Sequence, residues 1–195
     1  ADISAYAKQF GLSNASQELQ FMKASENQGG SRSFRYQQVY QGVPIIAGEL
    51  IANYDQRGRL AALVGEVSPK LSLSTTPRVT VDRANSMALS YVAKAESLAV
   101  TDLTAAAPLL SIYDPHLLTP DNYDPALVWR FEVRAASSLK PIRYLVLVDA
   151  RFGGVTLAFN QIDSAWDAAA AQPQSAKPVV ANLPIVAAPQ FAPIR

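Results

Sequence analysis

The sequence predicts an α+β chain: two small units, each a helix packed on a mostly antiparallel sheet, followed by an extended Ala/Pro-rich tail. Three observations carry this expectation. Apolar residues alternate at period two over several stretches divided by Gly- and Asp-containing turns, as half-buried strands do. Val81 to Ala95 instead repeats at i, i+3, i+4 and i+7, the spacing of a helix lying on a sheet. Beyond Ser164, Pro173, Pro178, Pro184, Pro189 and Pro193 recur too often for any regular helix. With 195 residues, 49% of them hydrophobic, the chain can bury a real core.

The first unit opens with Ile3, Tyr6, Ala7 and Phe10 at helical spacing, with Asp2 to cap the start and Gly11 to end it in the left-handed conformation. Ser13 to Ser16 reads as a polar turn. Leu19, Phe21 and Ala24 then fall on one face of a strand, and Asn27 to Ser31 is a Gly-Gly turn. Phe34, Tyr36, Gln38 and Tyr40 alternate with Arg35, Gln37 and Val39, which predicts a strand with one wet face. Gln41-Gly42-Val43-Pro44 is a turn. Ile45 to Tyr54 is apolar on both faces and so is expected to be central. Asp55 to Gly58 is a hairpin turn that needs positive φ at Gly58, and Leu60 to Gly65 returns as a strand.

Ser68 to Pro77 is a polar connector, which sets the expected boundaries at 1–68, 69–78, 79–163 and 164–195. Thr80 caps the second helix, whose inward stripe is Val81, Ala84, Met87, Ala88, Tyr91, Val92 and Ala95. Leu109 to Tyr113 is a short strand, and Asp114 to Asp124 a Pro- and Asp-rich loop. Leu127, Trp129, Phe131 and Val133 mark the inner face of the next strand, with Trp129 expected in the core. Ile142 to Val148 pairs through the Asp149-to-Gly154 turn with a last strand from Val155 to Ile162. The second sheet is thus expected to have about four strands. The tail should be extended, in polyproline II or edge-strand form, with Val179, Leu183, Ile185 and Phe191 among the side chains able to dock.

The chemistry-bearing residues are few. The absence of cysteine excludes disulfides, thiolate metal sites and a cysteine nucleophile. A net charge of +1 gives no electrostatic reason to expect nucleic acid. No apolar run is long enough to span a membrane, and no leader-like segment opens the chain, so an exported form is expected to have lost its signal. His116 is the sole histidine, which excludes a His-Glu-x-x-His zinc site; its plainer reading is a residue of a Pro-rich turn. Asp114, Asp121, Asn122 and Asp124 offer oxygens to calcium, yet they lack EF-hand spacing and suit turns. Arg32 to Tyr36 mixes basic and aromatic residues like a nucleic-acid platform, but its alternation is that of a strand. Asn14-Ala15-Ser16 is a glycosylation sequon by pattern alone. No catalytic residue, cofactor or metal is expected.

Phe34-Arg-Tyr-Gln-Gln-Val-Tyr-Gln-Gly-Val-Pro-Ile-Ile-Ala-Gly-Glu-Leu50, followed by the Asp55-to-Gly58 turn, resembles the FTP module of the fungalysin/thermolysin propeptides. Ile45-Ile46 stands where that pattern usually has Val-Phe, and Ala47 where a second Gly is common. Leu127-Val-Trp-Arg-Phe-Glu-Val133 and Tyr144 to Val155 resemble the PepSY module. The resemblance implies a non-catalytic pro-region, secreted or at the cell surface, that helps a zinc metallopeptidase fold and covers its cleft, in cis or in trans. It points to Gln37, Gln38, Tyr40 and Gly42, near the signature turn, as protein-binding residues. The alternative is a non-enzymatic extracellular interaction module that has kept FTP and PepSY modules without a peptidase.

Overall fold

The computed structural model describes residues 3–27, 29–118, 123–136 and 141–162. The expectations for Asp2, for Asp121 and Asn122, and for the tail of 164–195 lie outside these residues. The chain opens with α1 (Ser4–Ala7), which tightens into a 3₁₀ turn over Lys8–Phe10 and stops at Gly11, φ 80°. The expected polar turn is partly a one-turn helix, α2 (Ala15–Glu18). The Asn14 side chain accepts from Ser16 N at 3.2 Å, while Glu18 Oε1 accepts from the backbone N–H groups of Ser13 and Asn14 at 2.9 and 2.6 Å. These polar residues are caps, and a single turn is too short to show helical periodicity.

An antiparallel meander follows: β1 (Leu19–Glu26), β2 (Arg32–Tyr40), β3 (Val43–Tyr54) and β4 (Leu60–Glu66). A bulge between Phe21 and Lys23 pairs Phe21 with Tyr36 and Ala24 with Phe34, so all four share a face. The β2–β3 turn is tighter than expected. Gln41 (φ 50°) and Gly42 (φ 80°) are its two central residues, and Val43 and Pro44 already pair with Tyr40 and Val39. A second irregularity lies in β3, where 45–48 stand opposite Gln38 alone, and Gln38 and Val39 are both buried. Gly58 has the expected positive φ, 73°. Gly65 is fixed by space as well as by φ, since a Cβ there would lie 2.1 Å from the Glu49 carbonyl oxygen.

The second helix, α3 (Val81–Glu96), starts where Thr80 accepts from Arg83 N at 3.4 Å. Ala84, Ala88 and Val92 are fully buried and cluster with Phe131, Val133, Val146 and Val148. Val81, Tyr91 and Ala95 fall at the exposed margins of the stripe. Beneath the helix lie β5 (Leu103–Ala105), β6 (Leu109–Tyr113), β7 (Ala126–Ala135), β8 (Arg143–Asp149) and β9 (Val155–Asn160). The expected sheet of about four strands has a fifth, β5, which pairs with β7 on the same edge as β6. At three residues it carries no periodic signal. Trp129 is half-buried rather than at the centre of the core. Its indole N–H donates to Val79 O at 2.9 Å, a partner that ties the ring to the rim. Phe131 is the fully buried aromatic of this strand.

The nine strands form one continuous sheet in the order β1-β2-β3-β6-β7-β8-β9, with β4 on β3 and β5 on β7. β3 makes this possible. Its 49–54 half pairs with β4, and its Ile45 end forms a parallel bridge with Ile112 of β6. Ala1–Ile162 holds together as one unit.

Candidate functional site

The densest polar arrangement lies where β2, the connector and the end of β6 meet. Gln38, two residues on from Tyr36, lies on the same covered face of β2, where it is 2% exposed. An amide buried there must find both a donor and an acceptor. Gln38 Nε2 donates to Ser68 O at 2.7 Å, and Gln38 Oε1 accepts from Ser68 N at 2.8 Å. The Ser68 hydroxyl donates in turn to Asp114 Oδ2, and Asp114 is itself buried. Asp114 Oδ1 accepts from His116 N at 3.1 Å and meets His116 Nδ1 at 2.8 Å. Burial pushes the Asp114 carboxyl up, but the hydrogen bonds from Ser68 and His116 outweigh it and hold the group below its ordinary range.

This row contains Ser, Asp and His in the wrong order for hydrolysis. A nucleophilic serine needs the imidazole against its hydroxyl, with the carboxylate behind the imidazole. Here the carboxylate stands in the middle, so the Ser68 hydroxyl donates to Asp114 and no imidazole lies against it. The arrangement is a joint that ties β2 to β6 through the connector. No group of three or more His, Cys, Asp or Glu among the described residues could hold a metal ion.

Two clefts flank the joint on either side of Lys70 and Leu71. One, of about 470 Å³, is walled by Gln17, Glu18 and Tyr40. The other, of about 740 Å³, is walled by Leu73, His116, Asp124 and Arg151. Lys70 between them holds φ 54°, a left-handed value for a side-chain-bearing residue.

The four residues singled out in the sequence lie close together on β2 and its turn. Gln37 Nε2 donates to Ile45 O at 2.6 Å and to Gly48 O at 2.8 Å, bracing the irregular part of β3. Gln38 belongs to the joint. Tyr40 packs beside Ile45 and Ile112, and its hydroxyl accepts from Gln41 Nε2 at 3.3 Å. Gly42 faces open space. His116 and Asp114 come together, whereas Arg32 and Arg35 stand on opposite faces of β2, Arg35 ion-paired with Glu49. Asn14 of the sequon is the cap of α2. Ser68 had no sequence signal: its partners are 30 and 46 residues away, and only strand register brings them together.

Residues 22–67, which end beside Ser68 and include all four singled-out positions, match the family described as the Fungalysin/Thermolysin Propeptide Motif. The chain carries an FTP motif. What matches is a propeptide motif and not a catalytic domain. Thermolysins of Alicyclobacillus acidocaldarius subsp. acidocaldarius, Bacillus caldolyticus and Bacillus sp. (strain EA1) are each 27% identical over 156 residues, 77% of this chain. The chain spans 27% of the length of each of these relatives. Among solved structures, the Bacillus megaterium YpeB C-terminal domain is similar at a TM-score of 0.41 and 12% identity, over 75% of this chain and 58% of that one.

Proposed function

We propose that the chain is the non-catalytic pro-region of a secreted thermolysin-like zinc metallopeptidase, acting as its folding aid and inhibitor. The FTP motif at 22–67 is the observation that carries this reading. The likeness to a quarter of each thermolysin, and a Ser68–Asp114–His116 row wired as a joint, support it. In this reading 1–68 is the FTP module, 69–78 the connector, 79–163 a PepSY-like module and 164–195 a tail. The partner is the peptidase's catalytic domain, met by shape over a broad surface that includes the β2–β3 turn with Gln37, Gln38, Tyr40 and Gly42. Gln37 contributes by bracing the adjoining 45–48 stretch of β3 and Gln38 by holding the connector at Ser68, while Tyr40 and Gly42 flank and form the turn itself.

The test is refolding. The denatured mature thermolysin-like peptidase of the same organism is diluted into buffer with and without this chain. The chain should raise the yield of folded enzyme and then suppress its activity with tight, stoichiometric inhibition. Unchanged yield together with unimpeded activity would sink the proposal.

A further inference from the structure

The meander has a face that is only half covered. At one end α1 and α2 roof it, and Ala7, Leu12 and Ala15 pack on Leu50. Toward the other end the same face continues as Phe34 and Tyr36 on β2, Phe21 on β1 and Tyr54 on β3. The rings form a connected array: Phe21–Tyr36 at 6.0 Å, Phe21–Phe34 at 6.5 Å and Phe34–Tyr54 at 5.3 Å, tilted or edge-on. Phe21 remains 55% exposed. Phe34, Tyr36 and Tyr54 of this array floor a groove of about 360 Å³, walled by Gly30, Arg32, Asp55 and Gln56.

The charges of the groove are unequal. Asp55 is consumed by its own turn, accepting from Arg57 N and Arg59 N at 2.9 Å and from Arg59 Nε at 2.8 Å. Arg32 is exposed and has no ion pair among the described residues, although Glu26 stands opposite it on β1. The groove therefore offers aromatic faces and edges beside one exposed guanidinium that makes no ion-pair contact among the described residues. Such a floor favours an apolar or aromatic side chain, and such a rim favours a carboxylate next to it.

We infer that this groove is a docking site for a peptide segment that presents an apolar or aromatic side chain beside a carboxylate. The site goes beyond the pro-region reading, since it lies at the far end of the meander from the joint and does not require a peptidase as partner. The probe is a fluorescein-labelled Gly-Phe-Glu-Gly amide, compared with Gly-Phe-Gln-Gly and Gly-Ala-Glu-Gly by fluorescence anisotropy on the whole chain. The Phe-Glu peptide should bind best, about two- to fivefold over Phe-Gln, the range expected of an exposed ion pair. Arg32→Gln, an exposed change that leaves the fold alone, should abolish that preference. Amide shifts at Phe34 and Tyr36 should move on titration. Absence of binding, equal binding of the Phe and Ala peptides, or a Glu preference that survives Arg32→Gln would each overturn the inference.

Discussion

Ala47 holds φ 64° in the middle of a strand, at an exposed position. The cause is local: the main chain of 45–48 departs from the ladder, and Gln37 ties down its carbonyls at both ends. A Cβ in the left-handed region costs about 1–2 kcal/mol, while a glycine costs about 0.5–1 kcal/mol of extra chain entropy. Ala47→Gly should therefore raise stability by up to about 1 kcal/mol. Equilibrium urea unfolding reads this as a higher midpoint at unchanged slope, and a lower midpoint would show that the bulge does not strain Ala47. The sequence held half of this: the FTP pattern commonly places a second glycine there. It did not hold the reason, which depends on Gln37 reaching across to another strand.

The elements legible from residues alone are those long enough to repeat. α3 shows more than four turns of 3.6-residue periodicity, and β7 alternates from Trp129 to Arg134 where Phe131 and Val133 meet α3, whereas β8 is buried on both faces from Leu145 to Val148. α2 and β5 are too short to be periodic, and the irregularities in β1 and β3 shift the phase of an otherwise readable pattern. The β3–β4 ladder has a constraint of a different kind. Gly65, φ 143°, lets β4 cross close over Glu49, where any Cβ would strike a carbonyl oxygen. Gly65→Ala should cost about 2–4 kcal/mol through combined strain and displacement of the ladder. Chemical denaturation measures the loss, and a variant as stable as the parent would show that β4 can slide without penalty.

Across the whole molecule, the joint is what local sequence reading was least able to supply. Gln38, Ser68 and Asp114 each look like ordinary polar residues, and their meeting is a product of strand register over 30- and 46-residue separations. Its titratable member gives it a pH signature. Because the Asp114 pKa is lowered in the folded state from its ordinary value of 3.8, its contribution is present above that value and is lost as the pH falls through the folded pKa. Melting temperature should thus fall on acidification below about pH 4, and Asp114→Asn should be less stable at neutral pH but lose part of that acid dependence. An identical acid slope in the variant would remove Asp114 as its source. The same joint also has a mechanical meaning. β1 and β9 lie at opposite ends of the sheet, so tension applied between them must pass from β3 to β6. There the long antiparallel ladders give way to one main-chain bridge, Ile45 to Ile112, backed by the buried polar row and a small apolar cluster. Under such load this seam is expected to part first, leaving two ladders that each keep their own hydrogen bonds.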